Sequence, residues 1–365
     1  MRKMLYLLVA AALVWLPIAA MADSISPSSF SGSGPTGASY TVTKTVTVSA
    51  GTPTEGQGDI FFLSDTTGSM GGVIGAVKAT ATSVLNSLSA YGNIQFGVGN
   101  YKDFPTSPWG GGGDYPYQLN ATMNGSGAAQ TAINTWAASG GSDGPESELY
   151  ALQQAAAAGT GWRAGSEKFI LWFGDWPGHD PVGVPAGTNA TPGYPGPTEA
   201  ATIAALQAAG ITVLAFDSGI LDDYGQASRI TAATGGSLTA LGSTDPDDVA
   251  AAILAAIEEA FATYSTVSLD TSEVPTEVGV SVTPGSYDGS FDRSIERTFS
   301  FEVTFTDLKP GDHSFSIYAT VDGGRIATES DRIVSGGGEV PEPATMILIG
   351  SGLLGLAGLR KKFKK

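Results

Sequence analysis

The chain has 365 residues, 42% of them apolar, which is room for two domains with sizeable cores, and no cysteine, which excludes disulfides and thiol chemistry. Acidic residues outnumber basic ones 35 to 18. Seven of the 18 basic residues sit at the two ends, so the body between them holds 11 basic against 35 acidic residues, a charge of −24 that repels nucleic acid and anionic lipid and suits divalent cations or basic partners.

The N-terminus reads MRKMLYLLVAAALVWLPIAAMA. Arg2 and Lys3 precede an apolar core from Met4 to Ile18, and Ala20-Met21-Ala22 supplies small residues where a signal peptidase reads them. Residues 1–22 are expected to be a signal peptide cleaved after Ala22. Residues 23–38, DSISPSSFSGSGPTGA, have the Ser/Gly/Pro composition of a flexible linker. In SYTVTKTVTVSAG, Val and Thr alternate with strand periodicity, so 39–57 is expected to carry one strand. From 58 to 264 strands and helices alternate. DIFFLS leads to a helix near 70–89, NIQFGVGNY to a long Gly/Pro/aromatic loop, and KFILWFG to a loop and the helix TEAATIAALQAAG. ITVLAFD leads to a helix near 222–234, and GSLTAL and the helix DPDDVAAAILAAIEEAFATY close the series. This pattern predicts an α/β fold, a doubly wound, mostly parallel sheet with helices on both faces. Residues 265–335 return to strands separated by turns such as Lys309-Pro310-Gly311-Asp312 and Asp322-Gly323-Gly324, which predicts a smaller β-sandwich. The lone Val/Thr strand has no sheet of its own and is assigned to that sandwich. The α/β domain is then inserted into it.

The C-terminus, 336–365, is a short linker and a second address. Pro341-Glu342-Pro343 precedes sixteen uncharged, largely apolar residues, Ala344 to Leu359, and a basic cluster. By physics alone this is a short transmembrane segment with its positive end held on the cytoplasmic side. Triplet, span and basic tail together resemble the PEP-CTERM sorting signal of Gram-negative bacteria. The resemblance implies processing by an exosortase, transient membrane anchoring, and delivery to the cell surface or an exopolysaccharide matrix.

The stretch DIFFLSDTTGSMGG, Asp59 to Gly72, carries the chemistry. An apolar strand ends on Asp65 and is followed by Thr67 and Ser69, and KFILWFGD ends likewise on Asp175. In an open α/β sheet both acids project into the crevice at the carboxyl ends of the strands. One reading of Asp65 and its hydroxyls is a helix N-cap; the other is a site for a hard cation such as Mg²⁺, which takes oxygen ligands. DTTGS matches the D-x-[ST]-x-S motif of von Willebrand factor A domains and their metal-ion-dependent adhesion site. Within that family KDFPTSPW (102–109), SDGPE (142–146) and DWPGH (175–179) resemble three loops of the A-like domain found in integrin β chains. The resemblance implies Mg²⁺ or Mn²⁺ held by Thr67, Ser69 and Glu146, with Asp65 and Asp175 acting directly or through water. It also implies a neighbouring second site, with Ca²⁺ as its ion, formed by Asp103, Asp143, Glu146 and the Pro145 carbonyl. Two departures stand out: Gly71 and Gly72 replace an acid pair that holds a third ion, and Gly141 replaces an asparagine of the second site.

Rival chemistries are weaker on the residues. Gly140-Gly141-Ser142-Asp143-Gly144 spells the serine hydrolase motif G-x-S-x-G, but that motif needs a strand before it and a helix at once after it, and the residues ahead read helical. With His179 and His313 the only histidines and no cysteine, a zinc site lacks ligands. Trp109, Tyr115, Tyr117, Trp176 and Tyr194 are either a binding platform or pins for long loops. The reading is a non-enzymatic, exported adhesion protein whose cation bridges an Asp or Glu of a protein ligand or matrix component. The alternatives are a structural matrix protein with a stabilising metal and, third, a hydrolase using Ser142.

Overall fold

The computed structural model describes residues 22–51, 56–183 and 190–335. The expected signal peptide, except Ala22, and all of the sorting segment over 336–365 with its apolar span lie outside the described residues. No helix among the described residues is long and apolar enough to cross a membrane.

Three strands open the chain: β1 (Ser24–Ser26), β2 (Ser29–Gly34) and β3 (Ser39–Val48). The α/β series follows. It comprises β4 (Gly56–Asp65), α1 (Gly71–Leu88), β5 (Gly92–Tyr101), β6 (Gln118–Asn124), α2 (Ser126–Ile133), α3 (Glu148–Ala155) and β7 (Glu167–Gly174). It continues with α4 (Glu199–Ala208), β8 (Ile211–Asp217), α5 (Gln226–Ala233), β9 (Leu238–Ala240) and α6 (Pro246–Ala260). The six strands form one sheet in the order β6-β5-β4-β7-β8-β9, parallel except for β6 at one edge. Both faces are covered, which is why the central strands read as unbroken apolar runs. Ile60, Phe62, Phe96 and Phe169 pack with α1, α2 and α6, and Phe61, Leu63, Ile170 and Trp172 pack with α3, α4 and α5. Gly97 on β5 makes room for this packing: a Cβ there would lie 2.5 Å from the ring of Phe61. Chain connections leave β4 in one direction toward β5 and leave β7 in the other toward β8. The crevice between β4 and β7 is therefore the switch point at which this class of sheet binds ligands.

After α6 the chain forms β10 (Thr263–Asp270), β11 (Val278–Thr283), β12 (Ser286–Asp292), β13 (Arg297–Asp307), β14 (Gly311–Val321) and β15 (Gly324–Ser335). These join the opening strands in two sheets, β1-β3-β13-β11 and β12-β10-β14-β15-β2. One apolar core, with Val46, Val48, Phe301 and Phe305 from the first sheet and Val267, Ile317 and Ile333 from the second, lies between them. The chain thus leaves this two-sheet unit after β3 and returns to it at β10.

The expectation of a flexible linker over 23–38 is corrected. Ser24–Ser26 pair with Thr45–Thr47, and Ser29–Gly34 run parallel to Ser330–Ser335. Ile25 is buried, Phe30 stacks on Phe305, and the Asp23 carboxylate accepts hydrogen bonds from the Ser49 amide and hydroxyl. Small polar residues form strands here because each edge they join supplies the backbone partners and the apolar surface that the segment lacks.

Candidate functional site

Parallel pairing of β4 with β7, Ser64 opposite Phe173, brings Asp65 and Asp175 out at the same edge. The sequence places Asp65 at the crevice end of its strand, and its side chain there is fully buried. Its Oδ1 accepts the Thr67 amide at 2.7 Å, and Oδ2 has no hydrogen-bond partner. The N-cap reading therefore accounts for one oxygen and leaves the other unexplained. Thr67 is buried, Ser69 is exposed, and their hydroxyls are 3.4 Å apart on the turn that enters α1. Asp175 is half-buried with Oδ1 unpartnered, and Glu146, 3% exposed, has Oε2 unpartnered. Gly141 explains how Glu146 meets the Asp65 loop. It has φ +78°, and a Cβ on it would lie 2.7 Å from Glu146 Oε1 and 3.2 Å from Thr67 Cβ. The asparagine of the integrin loop has no room at this position.

Asp103, Asp143 and His179 form a second cluster, with one ligand atom of each within 4.8 Å of the others. His179 Nε2 lies 3.3 Å from Asp103 Oδ2 and 3.4 Å from Asp143 Oδ2, while Nδ1 is 2.9 Å from the Thr191 hydroxyl. Tyr194 donates its phenol to Asp103 Oδ1 at 2.6 Å and packs its ring on His179 at 4.4 Å. Pro145 lies half-buried in the loop between Asp143 and Glu146.

Two members of the site are absent from the sequence reading. His179 entered it as the last residue of DWPGH and as a histidine too isolated for a zinc site, not as a member of this cluster, and its approach to Asp103 and Asp143 depends on the path of the loop after β7. Glu148, in the first turn of α3, is fully buried with both oxygens unpartnered. The dense acids of SDGPESE were a signal, but an acid in a first helical turn is already accounted for by the helix dipole.

The electrostatics agree with the geometry. Burial, and after it the charge of Asp175, raises the Asp65 carboxyl to about 7 against the pull of the Thr67 amide. Burial and then the charges of Asp65, Glu148, Asp103 and Asp143 raise Glu146 to about 11, and burial foremost holds Glu148 well above the carboxylate range. The buried cation nearby, Lys102, donates to the carbonyls of Thr66 and Ser139. Carboxyl oxygens crowded together without partners are a costly arrangement that a divalent cation relieves, so the donor set fits a hard metal ion. Without metal, Asp65 and Glu146 hold protons in the folded state that the unfolded chain has lost above about pH 4, so stability falls as pH rises toward their folded values. In chelator the unfolding temperature is expected to drop between about pH 5 and pH 7, and saturating Mg²⁺ or Mn²⁺ to abolish the drop. A midpoint that rises over this interval in chelator contradicts the crowding.

A family model described as integrin beta-like protein A-E, vWA-like, matches residues 32–179. Another, the PEP-CTERM protein-sorting motif, matches residues 339–362. The chain carries an integrin β-like von Willebrand factor A domain. The motif marks it for export to the surface or exterior of a Gram-negative cell. No curated protein sequence matches it. Solved structures that align with the chain include a von Willebrand factor type A protein from Catenulispora acidiphila, at 13% identity over 89% of this chain and 76% of that one, with a TM-score of 0.43. The pilus adhesin SpaC from Lactobacillus rhamnosus GG aligns at 15% identity over 81% of this chain and 46% of its own, TM-score 0.41. Proximal thread matrix protein 1 from the mussel byssus aligns at 12% over 61% and 48%, TM-score 0.39. The chain spans under half the length of these last two.

Around the crevice of the A domain the aromatics divide. Tyr194 is buried, with Phe104 and Trp109 edge-on to its ring, and so pins loops. Trp176 is 40% exposed beside the site, packed on Gly144. The G-x-S-x-G segment is a loop that reaches α3 only at Glu148, and His179 faces Asp103 and Asp143, so the strand–turn–helix of a hydrolase elbow is not formed.

Proposed function

We propose that the A domain is a metal-dependent binding module that attaches the exported protein to a partner by sharing a cation with a partner carboxylate. What supports this reading is that Asp65, Glu146 and Asp175, which feel one another's charge near the open edge between β4 and β7, each keep an unpartnered oxygen, and that the Thr67 and Ser69 hydroxyls lie 3.4 Å apart on the loop that follows Asp65. Thr67, Ser69 and Glu146 would hold Mg²⁺ or Mn²⁺, with Asp65 and Asp175 direct or through water. Neutral hydroxyl ligands leave such a cation short of negative charge, and exposed Ser69 sits where an incoming Asp or Glu, on a protein or matrix component, can reach it. Asp103 and Asp143, with Glu146 and the Pro145 carbonyl, would form the second site. His179 brings an imidazole nitrogen to it, which suits Mn²⁺ better than the Ca²⁺ implied by the resemblance.

The test separates binding of metal from binding of partner. Thr67→Asp puts a charge into the shell and is expected to retain the cation while attachment to isolated matrix falls at least about tenfold, the loss of one charge-assisted contact. Chelation is expected to release the wild type. Attachment that survives both treatments would leave the metal a structural role and favour the matrix-component reading.

A further inference from the structure

Far from the crevice, the sandwich core holds three charged side chains that its fold does not need. In β3 the inward phase runs Tyr40, Val42, Lys44, Val46, Val48, so a lysine occupies a core position. Lys44 is 0% exposed, and so are the side chains of Glu329 and Asp331, two inward residues of β15 in the facing sheet. The Lys44 amine donates to both oxygens of Asp331, at 3.1 and 3.2 Å, and makes an ion pair with Glu329 Oε1. Lys44 and Asp331 are the groups that Glu329 meets here, and its Oε2 has no partner outside this trio. The rings of Phe30 and Phe305 close over the amine, 5.7 and 5.9 Å from it, and Phe305 packs on Phe315.

As an ion pair this is a poor use of a core, because burying charges costs more than an apolar replacement of the same size unless every group is satisfied. As a reaction site it is well made. An amine faces the carboxyl group of Asp331 within the approach distance of reacting atoms, held there by two strands and shielded from water by aromatic walls. One more carboxyl group stands beside both. Burial, and after it the charge of Asp331, raises Glu329 to about 7 against the pull of Lys44, which is the range in which a carboxyl can both take and return a proton.

We propose that Lys44 and Asp331 condense to an amide, with Glu329 carrying the protons, so that the folded sandwich closes itself with a covalent bond between β3 and β15. The Nζ–Cγ bond forms and one Cγ–Oδ bond breaks. Starting from an ammonium and a carboxylate, nitrogen gives up two protons and the departing oxygen takes both, leaving as water; Glu329 ends as it began. No oxidant or cofactor enters. The bond joins residues 287 positions apart and encloses the entire A domain, in an exported chain that has no cysteine for the same purpose.

The experiment is the mass of the purified protein in denaturant, followed by proteolysis and fragmentation. The expected result is a chain lighter by one water and a branched peptide joining the Lys44 and Asp331 segments, both lost in Lys44→Met. Glu329→Gln, which keeps the side-chain volume, is expected to restore the full mass while circular dichroism shows the native fold. Full mass in the wild type with Lys44 and Asp331 on separate peptides overturns the proposal. So does a water lost elsewhere, as at Asp143-Gly144 or Asp288-Gly289 by imide formation, which Lys44→Met would leave in place. A branch on Glu329 overturns the roles assigned to the two acids.

Discussion

Asp65→Asn is expected to lower affinity for Mg²⁺ or Mn²⁺ at the crevice by about 100-fold or more, since even groups that only support metal ligands cost 10–100-fold when lost. Attachment to a carboxylate-bearing partner should fall with it. The asparagine keeps the shape and can still accept the Thr67 amide, so the entry to α1 is preserved. It also removes one charge from the group that opposes ionisation of Glu146 and Glu148. The metal-free variant should therefore unfold at the same temperature as the metal-free wild type or above it. Titration calorimetry with thermal melts in chelator reads both quantities. Unchanged cation affinity sinks the metal assignment, and lost affinity with a lowered metal-free midpoint would trace the effect to the fold.

Glu146→Ala is expected to impair both cation sites, and Asp143→Ala the second alone. Glu146 sits between the two groups: it meets Thr67 across Gly141 and feels the charges of Asp65 on one side and of Asp103 and Asp143 on the other. Asp143 is partly open to solvent and reaches His179 at 3.4 Å. Cation stoichiometry by equilibrium dialysis should fall toward zero in the first variant and by one ion in the second. Two variants with the same stoichiometry show that no carboxylate is shared.

The sheet was legible because its signals are local. Strands such as DIFFLS and KFILWFG are apolar on both faces, and TEAATIAALQAAG and DPDDVAAAILAAIEEA carry caps that the structure uses, Thr198 accepting the Ala201 amide and Asp245 the Asp247 amide. The acids at the ends of β4 and β7 were legible for the same reason. Residues 24–34 were not, because their strand character belongs to the partners they meet, β3 about twenty residues on for β1 and β15 about three hundred residues on for β2. His179 and Glu148 were missed on the same ground: one depends on where a loop returns, the other on which acid of a dense run turns inward. Lys44 had a signal in its inward phase among valines, which composition and strand propensity do not weigh.

The pairing of β15 bears on how the molecule takes load. The sorting motif follows this strand, so a pull on the C-terminal region enters the sandwich through Ser335. β15 lies between β14 and β2, hydrogen-bonded to both along much of its length. Ladder bonds stand across the strands, so a pull along β15 strains both rows at once in shear, and many must fail together before the strand slides. Peeling from an edge would break them singly. A pull that enters at Ser335 along β15 therefore meets the sandwich in the direction in which its two ladders resist together.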